Sequence, residues 1–216
     1  MTYTAAKVRK RKARNVETKS SASANLVTFD QFYETVEENV HADLLDGKII
    51  RDSPAVPKHG LTTTFVAELL GTYVSHRRLG FLIGSTSTVR LTAYQAPEPD
   101  LFFINANRHH IINEKYIDGP PDLCIEVISK SSRRRDRVRK FVLYADHGVR
   151  EYWIIDPLIN TANFYRNVDG EWQEMPVDDQ GVFRSEVVPG FWMKVSWLFI
   201  FPPPDVYELC KLIFAE

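Results

Sequence analysis

The sequence predicts an α/β (α+β) domain in which a mixed β-sheet is flanked by helices. Three observations predict it. A strand, a helix and a strand follow one another: the near-continuous apolar run Leu123-Cys-Ile-Glu-Val-Ile-Ser129, a helical pattern over 132–147, and Glu151-Tyr-Trp-Ile-Ile-Asp156. That order implies a parallel pair of strands joined by a right-handed crossover. Leu61, Phe65, Leu69 and Tyr73 recur at helical spacing and mark a long amphipathic helix over 58–78. Short apolar segments broken by Asp-Gly turns add antiparallel strands.

Taken in chain order, residues 1–25 lack apolar periodicity and are expected to form a disordered basic tail ahead of one domain over 26–216. Thr28 followed by Gln31 reads as a capping box opening a helix over 29–39. Asp46-Gly47 between short apolar segments predicts a hairpin, and Pro54 and Pro57 punctuate the loop before the long helix. Strands are expected over 81–83, 88–91 and 100–104, with a loop over 105–121 ending in Gly119-Pro120-Pro121. In the helix over 132–147, Val138, Phe141, Val142 and Ala145 would form the apolar face, with Gly148 closing it. Asp169-Gly170 predicts a second hairpin; strands near 182–187 and 191–195 and a final helix from about 205 complete the chain.

Composition limits the function classes. The chain has 216 residues and a formal net charge of -1, so it is neither a generally basic nucleic-acid binder nor an acidic solvating protein. That sum hides a tail of +6 over residues 1–24 and -7 on the rest. Two cysteines are too few for a disulfide scaffold, and Cys124 reads as a small buried apolar residue. No apolar stretch approaches 18 residues and no apolar core of a secretory signal is present, so no membrane partner is expected and a reducing cytoplasm is the default.

The residues that carry chemistry are acids at strand ends. Pro99-Asp100 opens one strand, and Glu126 sits inside an apolar one, where an ionised carboxylate is rare without a partner. Two carboxylates from adjacent strands suit a hard divalent cation, Mg²⁺ or Mn²⁺, which lowers the pKa of bound water and offsets phosphoryl charge. Asp122, which also follows a proline, shares a strand face with Glu126, but four strand residues span about 13 Å, too far for one cation. Asp136 lies in the first turn of its helix, where it would favour the dipole. Arg133, Arg134, Arg135, Arg137 and Arg139 are either a solvated helix start or a phosphate-contacting face for nucleic acid. His109-His110 lacks the spacing of a third metal ligand.

Leu44-Leu-Asp-Gly-Lys-Ile49, Pro57-Lys-His59, Pro99-Asp100 and Gly119-Pro-Pro-Asp-Leu-Cys-Ile-Glu-Val-Ile-Ser129 carry a resemblance, continued by Asp136, Lys140, Tyr144, Gly148-Val149, Glu151-Tyr-Trp153 and Asp156-Pro157. Over about residues 28–200 the chain resembles the PD-(D/E)XK nuclease superfamily and, within it, the Uma-type restriction endonucleases of bacteria. The resemblance implies a restriction-endonuclease-like fold and metal-dependent hydrolysis of phosphodiester bonds, with DNA as substrate. It implies Asp100 and Glu126 as metal-binding carboxylates, with the backbone carbonyl of Val127 as a third ligand. The slot two positions after the acid holds Ile128, and the basic residue would be Lys140 from the following helix, stabilising charge on the phosphoryl group. Lys130, standing where the family commonly has Pro, is a second candidate. Asp43 and His59 match family positions that would support the site, His59 otherwise serving as a helix-start hydrogen bonder.

Two other function classes stay open. One is a catalytically inactive nucleic-acid-binding or regulatory module with the same fold, to which Ile128 gives weight. The other is a protein-interaction domain forming a homodimer, which an exposed apolar patch over 191–201 would indicate.

Overall fold

The computed structural model describes residues 26–37, 40–51, 53, 56–84 and 87–215, so the basic tail and Pro54 lie outside the described residues. Helix α1, Phe29–Thr35, is opened by the expected capping box: Thr28 accepts from the Gln31 amide, and Gln31 reaches back to the Thr28 amide at 2.9 Å. Strands β1, Ala42–Leu45, and β2, Lys48–Arg51, form the hairpin whose turn places Asp46 and Gly47 at φ 53° and 67°. Positive φ at both positions is what a two-residue turn of matching twist requires.

Helix α2, Pro57–Arg77, begins at Pro57, so this proline starts the helix instead of breaking a loop. The reason is that its missing N–H would be unpaired in the first turn anyway. Strands β3, Gly80–Gly84, β4, Val89–Arg90, and β5, Leu101–Asn105, follow. The stretch read as one loop over 105–121 holds a 3₁₀ turn, Ala106–Ile111, and a short strand β6, Ile117–Asp118, paired with β4.

Strand β7, Leu123–Val127, leads into a wide π-type turn, Arg135–Lys140, continuous with α3, Phe141–Asp146. Gly148, at φ 81°, closes that helix, and β8, Glu151–Asp156, runs parallel to β7 as the crossover predicts. The hairpin β9, Thr161–Val168, and β10, Glu171–Glu174, turns at Asp169-Gly170. Strands β11, Val182–Arg184, and β12, Trp192–Lys194, a 3₁₀ turn Val195–Phe199, and α4, Val206–Phe214, end the described chain.

Six strands form the main sheet in the order β10-β9-β8-β7-β5-β3, with β7 and β8 the parallel pair. Both faces are covered, so alternate residues feed two cores. Leu123, Ile125 and Val127 face one core with Trp153 and Phe65 from α2. Cys124 and Ile128 face the other with Tyr144 and Tyr152. One expectation about exposure fails. Val138 and Val142 are exposed, because the buried stripe of their helix is Asp136, Lys140 and Tyr144, turned toward Glu126. Over 191–201, Phe191, Met193 and Leu198 are buried, and apolar exposure begins only at Ile200 and Phe201. No helix among the described residues is long and apolar enough to cross a membrane.

Candidate active site

The register that pairs Leu101 with Ile125 places Asp100 opposite Glu126 at the next position. Glu126 leaves the sheet on the face that carries Cys124, because side chains alternate with period two, and Asp100 stands just before β5 at the same end. Asp100 is fastened across the strands: its Oδ2 accepts the Val127 amide at 2.7 Å and lies 3.3 Å from His59 Nε2. His59 comes from the first turn of α2. Burial works against its protonation, but the Asp100 hydrogen bond and charge outweigh it and raise the imidazole above its ordinary value.

Glu126 is buried, and its Oε1 accepts Lys140 Nζ and Tyr144 Oη, both at 2.8 Å. Burial pushes its carboxyl well up, opposed by Lys140 and reinforced by Asp136, Asp100 and Asp43. Lys140 is 1% exposed, and three contacts match its three N–H donors: Glu126, Asp43 Oδ1 at 3.2 Å and the Glu98 carbonyl at 3.2 Å. Burial disfavours its charge, yet Asp43, Glu126 and Asp136 hold it above the usual lysine range. Burial also raises the Tyr144 hydroxyl, so it stays a donor.

Asp43, from β1, ties the hairpin to this network: its Oδ1 accepts the Glu98 amide at 2.8 Å, and its Oδ2 lies 3.0 Å from Arg135 Nε. Ser129 and Ser132 exchange backbone-to-hydroxyl bonds of 3.0 and 3.1 Å, which fix the turn between β7 and the helix bearing Lys140. A cleft of about 580 Å³ opens over the assembly. Its walls include His59, Asp100, Glu126, Val127, Lys140 and Arg135.

The structure therefore brings Asp100, Glu126, Val127, Lys140, Asp43 and His59 together. Lys130 sits on the turn outside the cleft wall. The arginine run divides by partner. Arg135 turns inward to Asp43, while Arg133 and Arg137 lie 2.9 and 3.6 Å from Asp156, and Arg139 lies 2.8 Å from Asp46. Arg134 is exposed. Asp136, read as a dipole-favouring residue, is buried, and its carboxyl is raised by that burial.

Sequence reasoning missed Glu98. It accepts the Ala42 amide at 3.1 Å and the Thr88 hydroxyl at 2.8 Å, lies 3.3 Å from His41, and offers its carbonyl to Lys140. The signal was an acid held between two prolines, Pro97-Glu-Pro-Asp100, just ahead of a strand. Arg51, on the cleft wall, was also missed; it ends a short hairpin strand and carries no pattern of its own.

Among the described residues no group of three or more His, Cys, Asp and Glu is placed to hold a metal ion by itself. The set at the cleft is smaller: the carboxylates of Asp100 and Glu126, with Val127 beside them. That set fits Mg²⁺, which takes one or two carboxylates and keeps several waters.

Comparison with known proteins bears on the family and the fold. Residues 27–196 match the model of the Uma2 family, described as "Putative restriction endonuclease". A crystal structure from Anabaena variabilis ATCC 29413, of a putative nuclease belonging to DUF820, superposes with a TM-score of 0.67 at 20% identity. The match covers 80% of this chain and 97% of that one, and at this identity it shows the shared fold. No curated protein matches the chain.

Proposed function

The chain belongs to the Uma2 family, and from that premise we propose that it is a metal-dependent endonuclease hydrolysing phosphodiester bonds in DNA. One observation carries the reading: Asp100, just before β5, and Glu126, near the end of the neighbouring β7, line one cleft. Asp100, Glu126 and the Val127 carbonyl would hold Mg²⁺ or Mn²⁺. When bound, that cation supplies Lewis-acid charge at the phosphoryl oxygens and eases deprotonation of water.

The chain's own groups prepare this set. The Val127 amide and His59 fix the Asp100 carboxylate, while Lys140 and Tyr144 fix Glu126 through a single oxygen. In this proposal Lys140 opposes the effect of burial on Glu126 and aims its carboxyl, since its three donors already end on protein atoms, and its help to the phosphoryl group is indirect. Arg51 on the cleft wall and the exposed Arg134 are among the cations that would meet backbone phosphates.

The same engagement of Lys140 favours a second reading, a nucleic-acid-binding module that does not cleave. A plasmid-nicking assay separates the two. Wild type is expected to nick DNA with Mg²⁺ or Mn²⁺, and Glu126→Ala and Asp100→Ala to lose that activity. Retained binding with no cleavage in any metal supports the second reading, and cleavage by both variants would sink the site assignment.

A further inference from the structure

The two edges of the six-stranded sheet are built in opposite ways. At one edge, β10 carries Glu171 and Glu174, both exposed. Charged side chains on an edge strand discourage another strand from adding to it. At the other edge, β3 reads Gly80-Phe-Leu-Ile-Gly84, with no charge and no proline. Among the described residues β5 is its strand partner on one side, and its other side meets no strand. Alternate N–H and C=O groups of β3 therefore face outward, as along any sheet edge. The exposure pattern agrees. Phe81 is 45% exposed and no residue of β3 is buried, whereas β5 beside it is buried at four of its five positions. Next to the strand lies a hollow of about 670 Å³ lined in part by Val74, Phe81 and Ile112.

We propose that the chain forms a twofold homodimer by antiparallel pairing of β3 with β3 of a second copy, joining two six-stranded sheets into one. The strand is self-complementary. A register centred on Leu82 sets Phe81 opposite the partner's Ile83, and the same pair recurs by symmetry. Aromatic and β-branched residues in that relation stabilise a sheet, and no charge meets its own image. The opposite holds at β10, where antiparallel self-pairing centred on the strand would set Glu171 against a second Glu174, a like-charge opposition that destabilises. One open edge and one guarded edge give a closed dimer instead of a growing array. The proposal stands apart from the nuclease reading, since β3 contributes nothing to the cleft wall.

Sedimentation velocity on the full chain tests it, together with hydrogen exchange at the β3 amides. Wild type is expected to sediment at twice 24.9 kDa, with outward β3 amides that gain protection as protein concentration rises. Phe81→Lys, an exposed position, is expected to sediment as a monomer with an unchanged circular dichroism spectrum and to lose that concentration-dependent protection. A wild type that stays monomeric as concentration rises would overturn the proposal. So would a dimer that Phe81→Lys leaves intact while the β3 amides exchange freely. The exchange readout keeps the test valid even if the variant is destabilised, because it is made on the wild type as well.

Discussion

Strand β7 has a buried carboxylate at each end, Asp122 at its entry and Glu126 near its exit, and the two share a face of the sheet. Their surroundings differ. Asp122 Oδ1 lies 3.1 Å from Arg108 and 3.4 Å from Arg150, its Oδ2 accepts the Asn105 amide at 2.9 Å, and both arginines reach in from solvent. It is a staple joining β5, β7 and β8 at the end away from the cleft. Glu126 has a partner as buried as itself, Lys140, and it opens onto the cleft with Asp100. The same group on the same face of the same strand is structural where partly exposed arginines satisfy it. It is suited to chemistry where one face of the cluster is left to the cleft.

Breaking each end should give different losses. Lys140→Met leaves Glu126 and Asp43 without their shared cation, and a loss of about 4 kcal/mol is expected from urea unfolding. A loss too small to measure would show that the buried pair is not what holds this end. Asp122→Ala removes the partner of two arginines and one amide and should cost about 3 kcal/mol in the same measurement. Its folded fraction should still nick DNA, and loss of nicking at full folding would erase the contrast between the two ends. Tyr144→Phe deletes one hydrogen bond to a buried carboxylate, worth about 1.5 kcal/mol. Its sharper readout is weaker metal binding, because Glu126 then has one fewer group fixing it.

The smallest effect comes from a pair with burial taken away. Arg139 lies 2.8 Å from Asp46 at the surface, and its hydrogen bond, aided by Gln95, holds the Asp46 carboxyl below its ordinary value. A lowered folded pKa contributes stability at neutral pH that is lost as pH falls through the carboxylate range. Asp46→Asn should cost about 0.3 kcal/mol at neutral pH and nothing in acid. A constant difference across that range would mean the pair acts through packing and not through charge.

Most of the frame was legible because it rests on local rules. The Thr28 and Gln31 cap, the Asp46-Gly47 turn and the parallel β7–β8 pair each follow from a few neighbouring residues. The convergence of Asp100 and Glu126 was legible from strand order together with the family resemblance. The charged interior was not. Glu98 and Asp136 look like solvated acids in a loop and a helix start, since their surroundings come from distant segments, His41 and Ala42 beside Glu98 and Tyr152 of β8 beside Asp136. Val138 and Val142 misled for the same reason. Apolar residues ordinarily mark the inward face of a helix, but here the inward face meets a buried carboxylate and is itself polar. The wide turn over Arg135–Lys140 adds a register shift that a regular 3.6-residue period does not anticipate.

The central claim is that a divalent cation binds between Asp100 and Glu126. Calorimetric titration of Mn²⁺ into the metal-free protein tests it most directly, with no appeal to cleavage. Wild type and Asp122→Ala should each bind with the same affinity, while Asp100→Ala and Glu126→Ala, confirmed folded, should lose that binding. Undiminished Mn²⁺ binding by folded Glu126→Ala would contradict the claim.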